Sequence, residues 1–112
     1  MSPVLTPTLL DPVAETLELS ETELGRLFGV SRQAVGQWRE RGVPSNRMAK
    51  LATVAAICDL LQHQLKPERI PGIARRPAAA YGGLSMLDMI ERDRQYDLQA
   101  KIRRSFDWGA TA

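Results

Sequence analysis

The chain has 112 residues and a formal net charge of +2. That length suits one domain, or one domain with a small appendage, and such a monomer buries only roughly two thirds of its unfolded-chain surface. Apolar residues make up 44% and charged residues 25%, which excludes wholesale disorder. The longest nearly uncharged apolar run, residues 51–58, is far too short for a membrane span. One cysteine, Cys58, excludes an internal disulfide framework, and one histidine, His63, leaves too few soft ligands for zinc. The first residues show no basic leader before an apolar run, so a cytoplasmic protein without metal or cofactor is expected.

Residues 1–8, with Pro3 and Pro7, read as a loose arm. Asp11-Pro12 predicts an N-cap followed by proline at the first helical position, opening a helix that buries Val13 and Leu17. Ser20-Glu-Thr-Glu23 is a capping box, and the helix it starts should end at Phe28 because Gly29 suits a C′ position. Ser31 caps a helix to about Arg41, which Gly42-Val-Pro44 ends. Ser45 should cap a long helix to about Gln64. Pro67, Pro71 and Pro77 then predict a linker or extended arm over residues 66–83. Ser85 and Asp88 form a second capping-box start, with Met86, Leu87 and Ile90 inward. The last helix, from about Asp93, carries Leu98, Ile102 and Phe106 at i, i+4 spacing. No β-strand pattern occurs. The expected fold is all-α: an N-terminal unit over 10–65, a proline-rich connector over 66–83 and a small C-terminal helical pair over 84–112.

Charge is unevenly spread. Residues 1–30 carry five acids against one base, a net −4, whereas residues 31–50 carry five bases (Arg32, Arg39, Arg41, Arg47, Lys50) against Glu40 alone, a net +4. A local cationic field of that kind suits a polyanion. The same stretch carries a helix-turn-helix pattern from Glu21 to Arg41. Gly25 is small where the second helix must cross closely, Gly29 bends the chain with positive φ, Val30 pins the turn, and Val35 and Trp38 anchor the second helix. On these residues the chain resembles the helix-turn-helix domains of phage-repressor-like (Xre-type) regulators. The resemblance implies that helix 31–41 enters the major groove of double-stranded DNA. With Val35 and Trp38 inward, the base-facing set is Ser31, Arg32, Gln33, Gly36 and Gln37. Arg32 can fork to guanine O6/N7, and Gln33 or Gln37 can bond adenine N6/N7. Gly36 would allow close approach. Arg39, Arg41, Ser45, Arg47 and Lys50 are the expected phosphate contacts. One such unit binds weakly, so a homodimer reading a palindromic operator is expected.

The C-terminal third, with Gly83-Leu-Ser-Met-Leu-Asp-Met-Ile90 and the helix after it, resembles the Xre/MbcA/ParS family of bacterial antitoxins. That resemblance implies a transcription regulator that represses its own promoter and neutralises a toxin of the NAD-degrading RES type. Carried over to this chain, Phe106, Asp107, Trp108 and Thr111 would occlude the toxin's cleft, flanked by Arg75, Arg76, Arg103 and Arg104. A plainer reading makes Phe106 the last core residue of its helix. Two alternatives stand beside the antitoxin: a free-standing phage-like repressor whose C-terminal segment serves dimerisation, and a protein-interaction module that does not bind DNA.

No enzyme is expected. Cys58 sits among Ala55, Ala56, Ile57 and Leu60 and reads as a buried structural thiol. His63, five residues on, points well away from it, so the two cannot form a dyad. Asp88, Glu91 and Asp93 read as a solvated face.

Overall fold

The computed structural model describes residues 9–111, with side chains as far as Phe106. Among them run seven α-helices and no strand: α1 (Leu10–Leu17), α2 (Glu21–Phe28), α3 (Arg32–Arg41), α4 (Ser45–Gln64), α5 (Ile70–Arg75), α6 (Met86–Glu91) and α7 (Gln95–Thr111). The fold is all-α.

Local chemistry sets most helix ends. The Ser20 hydroxyl accepts from the Glu23 N–H at 3.1 Å, and the Ser20 N–H donates to the Glu23 carboxylate at 2.9 Å. Ser85 and Asp88 repeat the arrangement at the start of α6, with both bonds at 3.0 Å. At the end of α2, Gly29 adopts φ 69°, and the Val30 N–H reaches back to the Gly25 carbonyl at 2.9 Å. A glycine tolerates that left-handed conformation without a Cβ penalty. α1 begins differently from the expectation. Leu9 is its cap residue and offers no side-chain bond, while Asp11 and Pro12 lie inside the first turn. Proline is harmless there because first-turn N–H groups have no intrahelical partner. Likewise Ser45 is the first residue of α4 rather than its cap, and Pro44 precedes it.

The proline-rich stretch is not an arm. Pro67 opens a 3₁₀ turn over Pro67–Arg69, Pro71 occupies the first turn of α5, and Pro77 comes after α5 has ended. All three prolines therefore sit where a helix accepts them. Ile70 and Ala74 of α5 are buried, and a second 3₁₀ turn follows at Ala79–Tyr81. Burying a side chain the size of Ile70 contributes about 1.5–3 kcal/mol, enough to hold a short helix that would not form alone.

One hydrophobic cluster runs from Leu10 of α1 to Ile102 of α7, so 66–83 and 84–102 are built into the same core as the N-terminal helices. α4 is the central element. It packs against α1 with Leu51, Val54, Ile57 and Leu61 among its buried residues, and against α7, which contributes Leu98 and Ile102. α6 closes over α2, and α5 packs against both α1 and α6. Met86 and Ile90 of α6 point inward as the pattern predicts. Leu87 is only half-buried, and Met89 is fully buried in its place.

Candidate nucleic-acid interface

α2 and α3 pack together as a corner. Gly25 is buried, and a Cβ built on it would stand 2.6 Å from the Val30 carbonyl oxygen and 3.1 Å from that of Ser31. The close neighbour is thus the backbone of the turn rather than the second helix itself. Val35 is fully buried, and Trp38 is buried against Phe28, with ring centroids 5.6 Å apart and planes at 81°. An edge-to-face pair of that kind is worth about 0.5–1.5 kcal/mol beyond its burial. Ser31 caps α3 by accepting from the Ala34 N–H at 3.1 Å.

With Val35 and Trp38 facing the core, the opposite side of α3 is open. Ser31, Arg32, Gln33 and Gln37 are exposed. Gly36 is half-buried, and a Cβ there would meet nothing within 4 Å. The structure therefore brings all five residues expected to face bases onto the outer side of one helix or its cap.

The expected phosphate set divides. Arg41 and Ser45 are exposed. Arg39 is not available. Its guanidinium donates to both oxygens of Glu21, from Nη2 at 2.8 Å and from Nε at 3.1 and 3.2 Å, and pairs through Nη1 with Asp11. The bonds to Glu21, then those to Asp11, hold its pKa above the ordinary arginine value. Arg39 is a clamp that ties α3 to α2 and α1. Lys50 is also committed. Its side chain is only 12% exposed, and Nζ donates to the Leu27 carbonyl at 2.6 Å and to Asp93 Oδ1 at 2.8 Å while lying 5.4 Å from the Phe28 ring centre. Arg47 spends one N–H on the Phe28 carbonyl at 2.9 Å. Lys50 and Arg47 satisfy carbonyls that the end of α2 leaves without helical partners. Two of the five phosphate assignments are thus corrected: Arg39 and Lys50 build the corner, whereas Arg47, half-buried, commits one N–H to it.

Comparison with family models, with curated proteins and with solved structures finds no match. What the site can do therefore rests on its own geometry.

The C-terminal residues assigned to a toxin are less uniform. Arg103 and Arg104 are exposed on α7. Phe106 is half-buried and packs against the core, so it serves the helix as the plainer reading had it. The side chains of Asp107, Trp108 and Thr111 lie outside the described residues; their backbone continues α7. Arg75 is removed from the flanking set. It donates to the Leu17 and Glu18 carbonyls at 2.7 Å each and to Pro71 at 3.1 Å, capping α1 from α5. Arg76 is exposed.

Sequence reasoning missed the partners of Arg39 and Lys50 because a charge count carries no information on contacts 18 to 43 residues away. It also passed over Arg26 and Thr22, which are exposed on α2 beside the start of α3. Among the described residues no group of three or more His, Cys, Asp or Glu side chains could hold a metal, and no helix is long and apolar enough to cross a membrane. Cys58 is buried, and burial pushes its thiol up to about 12.

Proposed function

We propose that the chain is a sequence-specific DNA-binding transcription regulator that lays α3 in the major groove of duplex DNA. One observation carries this reading: anchors and polar readers lie on opposite sides of a single helix, Val35 and Trp38 buried, Arg32, Gln33 and Gln37 exposed. Arg32 supplies a bidentate guanine contact and the glutamines supply adenine contacts, while Arg41 and Ser45 reach phosphates. With Arg39 and Lys50 spent internally and one N–H of Arg47 committed, one protomer has few cations left on this face. Two copies on a palindrome restore the electrostatic contribution, so the active species is a homodimer. Light scattering of the purified chain, and a gel shift with the DNA upstream of its own gene, test both points. A dimer that retards that DNA supports the reading; a monomer, or no retarded species at low salt, contradicts it.

The same proposal extends to an autorepressing, cytoplasmic antitoxin. The resemblance of residues 83–112 to the Xre/MbcA/ParS antitoxins supports this, as do exposed Arg103 and Arg104 on α7. Removing residues 107–112 spares Phe106, so it should abolish neutralisation of a copurifying toxin while DNA binding and thermal stability persist. A different observation favours the free-standing phage-like repressor: α6 and α7 share the core with α2 and α4, as a structural C-terminal segment would. Full activity after that truncation, with no copurifying partner, selects the repressor.

A further inference from the structure

An open groove of about 490 Å³ lies beside the start of α3. Thr22 and Arg26 of α2 form one wall, Ser31 and Arg32 another, and Gly29 and Val30 line the turn between them. A Cβ on Gly29 would meet nothing within 4 Å, so the turn backbone is open to an approaching group. The remaining wall comes from outside the corner: Glu91, the last residue of α6. Arg26, Arg32 and Glu91 are all exposed, and none of them makes an ion pair among the described residues. Arg26 and Glu91 also line a second groove, between α2 and α6, so the two side chains border the same space from opposing helices.

We infer that this groove seats one backbone phosphate of the bound duplex on Arg26 and Thr22, and that Glu91 competes with the phosphate for Arg26 and so lowers affinity for DNA of any sequence. The inference rests on the proposed DNA-binding function and supplies a phosphate contact in place of Arg39 and Lys50, which are spent inside the fold. The chemistry is simple. A guanidinium and a hydroxyl are donors that match phosphate oxygens, and a phosphate contact orients the protein without reading sequence. Arg32, on the opposite wall, remains directed at base edges. A carboxylate at the rim offers Arg26 an alternative partner that the phosphate must displace. α6 thereby sets the affinity of a site on α2 and α3, with no movement required.

The test is fluorescence anisotropy of the full chain with its upstream duplex and with a scrambled duplex, over a range of salt. Arg26→Ala should weaken binding to both duplexes by roughly fivefold to tenfold and lower the salt slope by about 0.9 per protomer, as expected for one lost phosphate contact. Glu91→Gln should tighten binding to both duplexes by on the order of twofold to fivefold, the size of one screened charge at the rim. In the Arg26→Ala background the gain from Glu91→Gln should shrink below twofold. Thermal melts of all three variants should match the parent, since neither side chain holds the fold. An unchanged salt slope for Arg26→Ala overturns the phosphate seat. A loss confined to the upstream duplex overturns it too, because that is the signature of base reading. A full Glu91→Gln gain without Arg26 overturns the competition. If the parent binds neither duplex, the DNA-binding reading itself fails.

Discussion

Gly25 and Gly36 lie on neighbouring helices, and alanine at each should move stability in opposite directions. At Gly25 the new methyl would stand 2.6 Å from the Val30 carbonyl oxygen, where atoms of this kind do not approach within 3.0 Å, so backbone must move by at least 0.4 Å. That carbonyl belongs to the turn whose N–H bonds Gly25 at 2.9 Å, and the next carbonyl, Ser31, accepts from Val35. Neither can yield without loosening the corner. Forced overpacking costs about 1–3 kcal/mol, and alanine returns at most about 1 kcal/mol of helix propensity. Gly25→Ala should therefore destabilise by roughly 1–2 kcal/mol net, a fall in Tm of about 4–8 °C for a chain of this size. At Gly36 a Cβ meets nothing within 4 Å, so only the propensity gain remains, and Tm should rise by about 2–4 °C. Circular dichroism melts of the two variants and the parent measure both. A Gly25→Ala chain as stable as the parent, or a Gly36→Ala chain less stable, would refute the packing argument. The second variant has a functional arm as well: if Gly36 permits close approach to the groove, the more stable protein should bind its duplex more weakly.

Lys50→Met keeps the aliphatic stem but leaves the Leu27 carbonyl and Asp93 without their donor; it should lose about 1–3 kcal/mol in urea unfolding and leave the salt slope of DNA binding unchanged. A smaller salt slope with intact stability would return Lys50 to the phosphate contacts. Acid stability follows the capped carboxylates. Bonds from Ser20 hold Glu23 below its ordinary 4.5, Ser85 does the same for Asp88 from 3.8, and Lys50 for Asp93. Groups with lowered pKa contribute stability that is fully present above their unfolded values and is lost as pH falls through the folded ones. Unfolding free energy should thus hold down to about pH 5 and decline below it, and Glu23→Gln with Asp88→Asn, which removes the carboxylates that accept from the Ser20 and Ser85 backbone N–H groups, should flatten that decline; an unaltered acid limb contradicts the cause assigned. Cys58, buried and with its thiol pushed up to about 12, should resist iodoacetamide at pH 8 in the native protein and react at once in urea, whereas rapid native labelling would place it at the surface.

What the sequence made legible was chemistry that acts over a few residues. The two capping boxes and the left-handed Gly29 depend on neighbours three to five positions away, and all of them appear in the fold. Buried Val35 and Trp38 follow from helical spacing for the same reason. α5 is hidden in the sequence because Pro67, Pro71 and Pro77 resemble helix breakers until their places in the turns are known. Pro67 and Pro71 stand in first turns, where they assist a helix, and the burial of Ile70 and Ala74 that holds α5 is supplied by α1 and α6. The cationic stretch misled in a similar way. Five bases in twenty residues promised a phosphate-binding ridge, yet Arg39 reaches back to Asp11 and Glu21, and Lys50 reaches forward to Asp93. Their partners sit in the two flanking segments, and only the tertiary fold brings those acids to the bases.

The role of α3 is tested most directly by methylation interference on the upstream duplex, because methylating guanine N7 blocks the major-groove acceptor that Arg32 would fork onto. Methylation of one or two guanines in each half of a palindrome should abolish binding by the parent, and Arg32→Ala should lose sensitivity at those same guanines while still binding more weakly. A complex indifferent to N7 methylation throughout the site, or one whose pattern Arg32→Ala leaves unaltered, would contradict the placement of α3 in the groove.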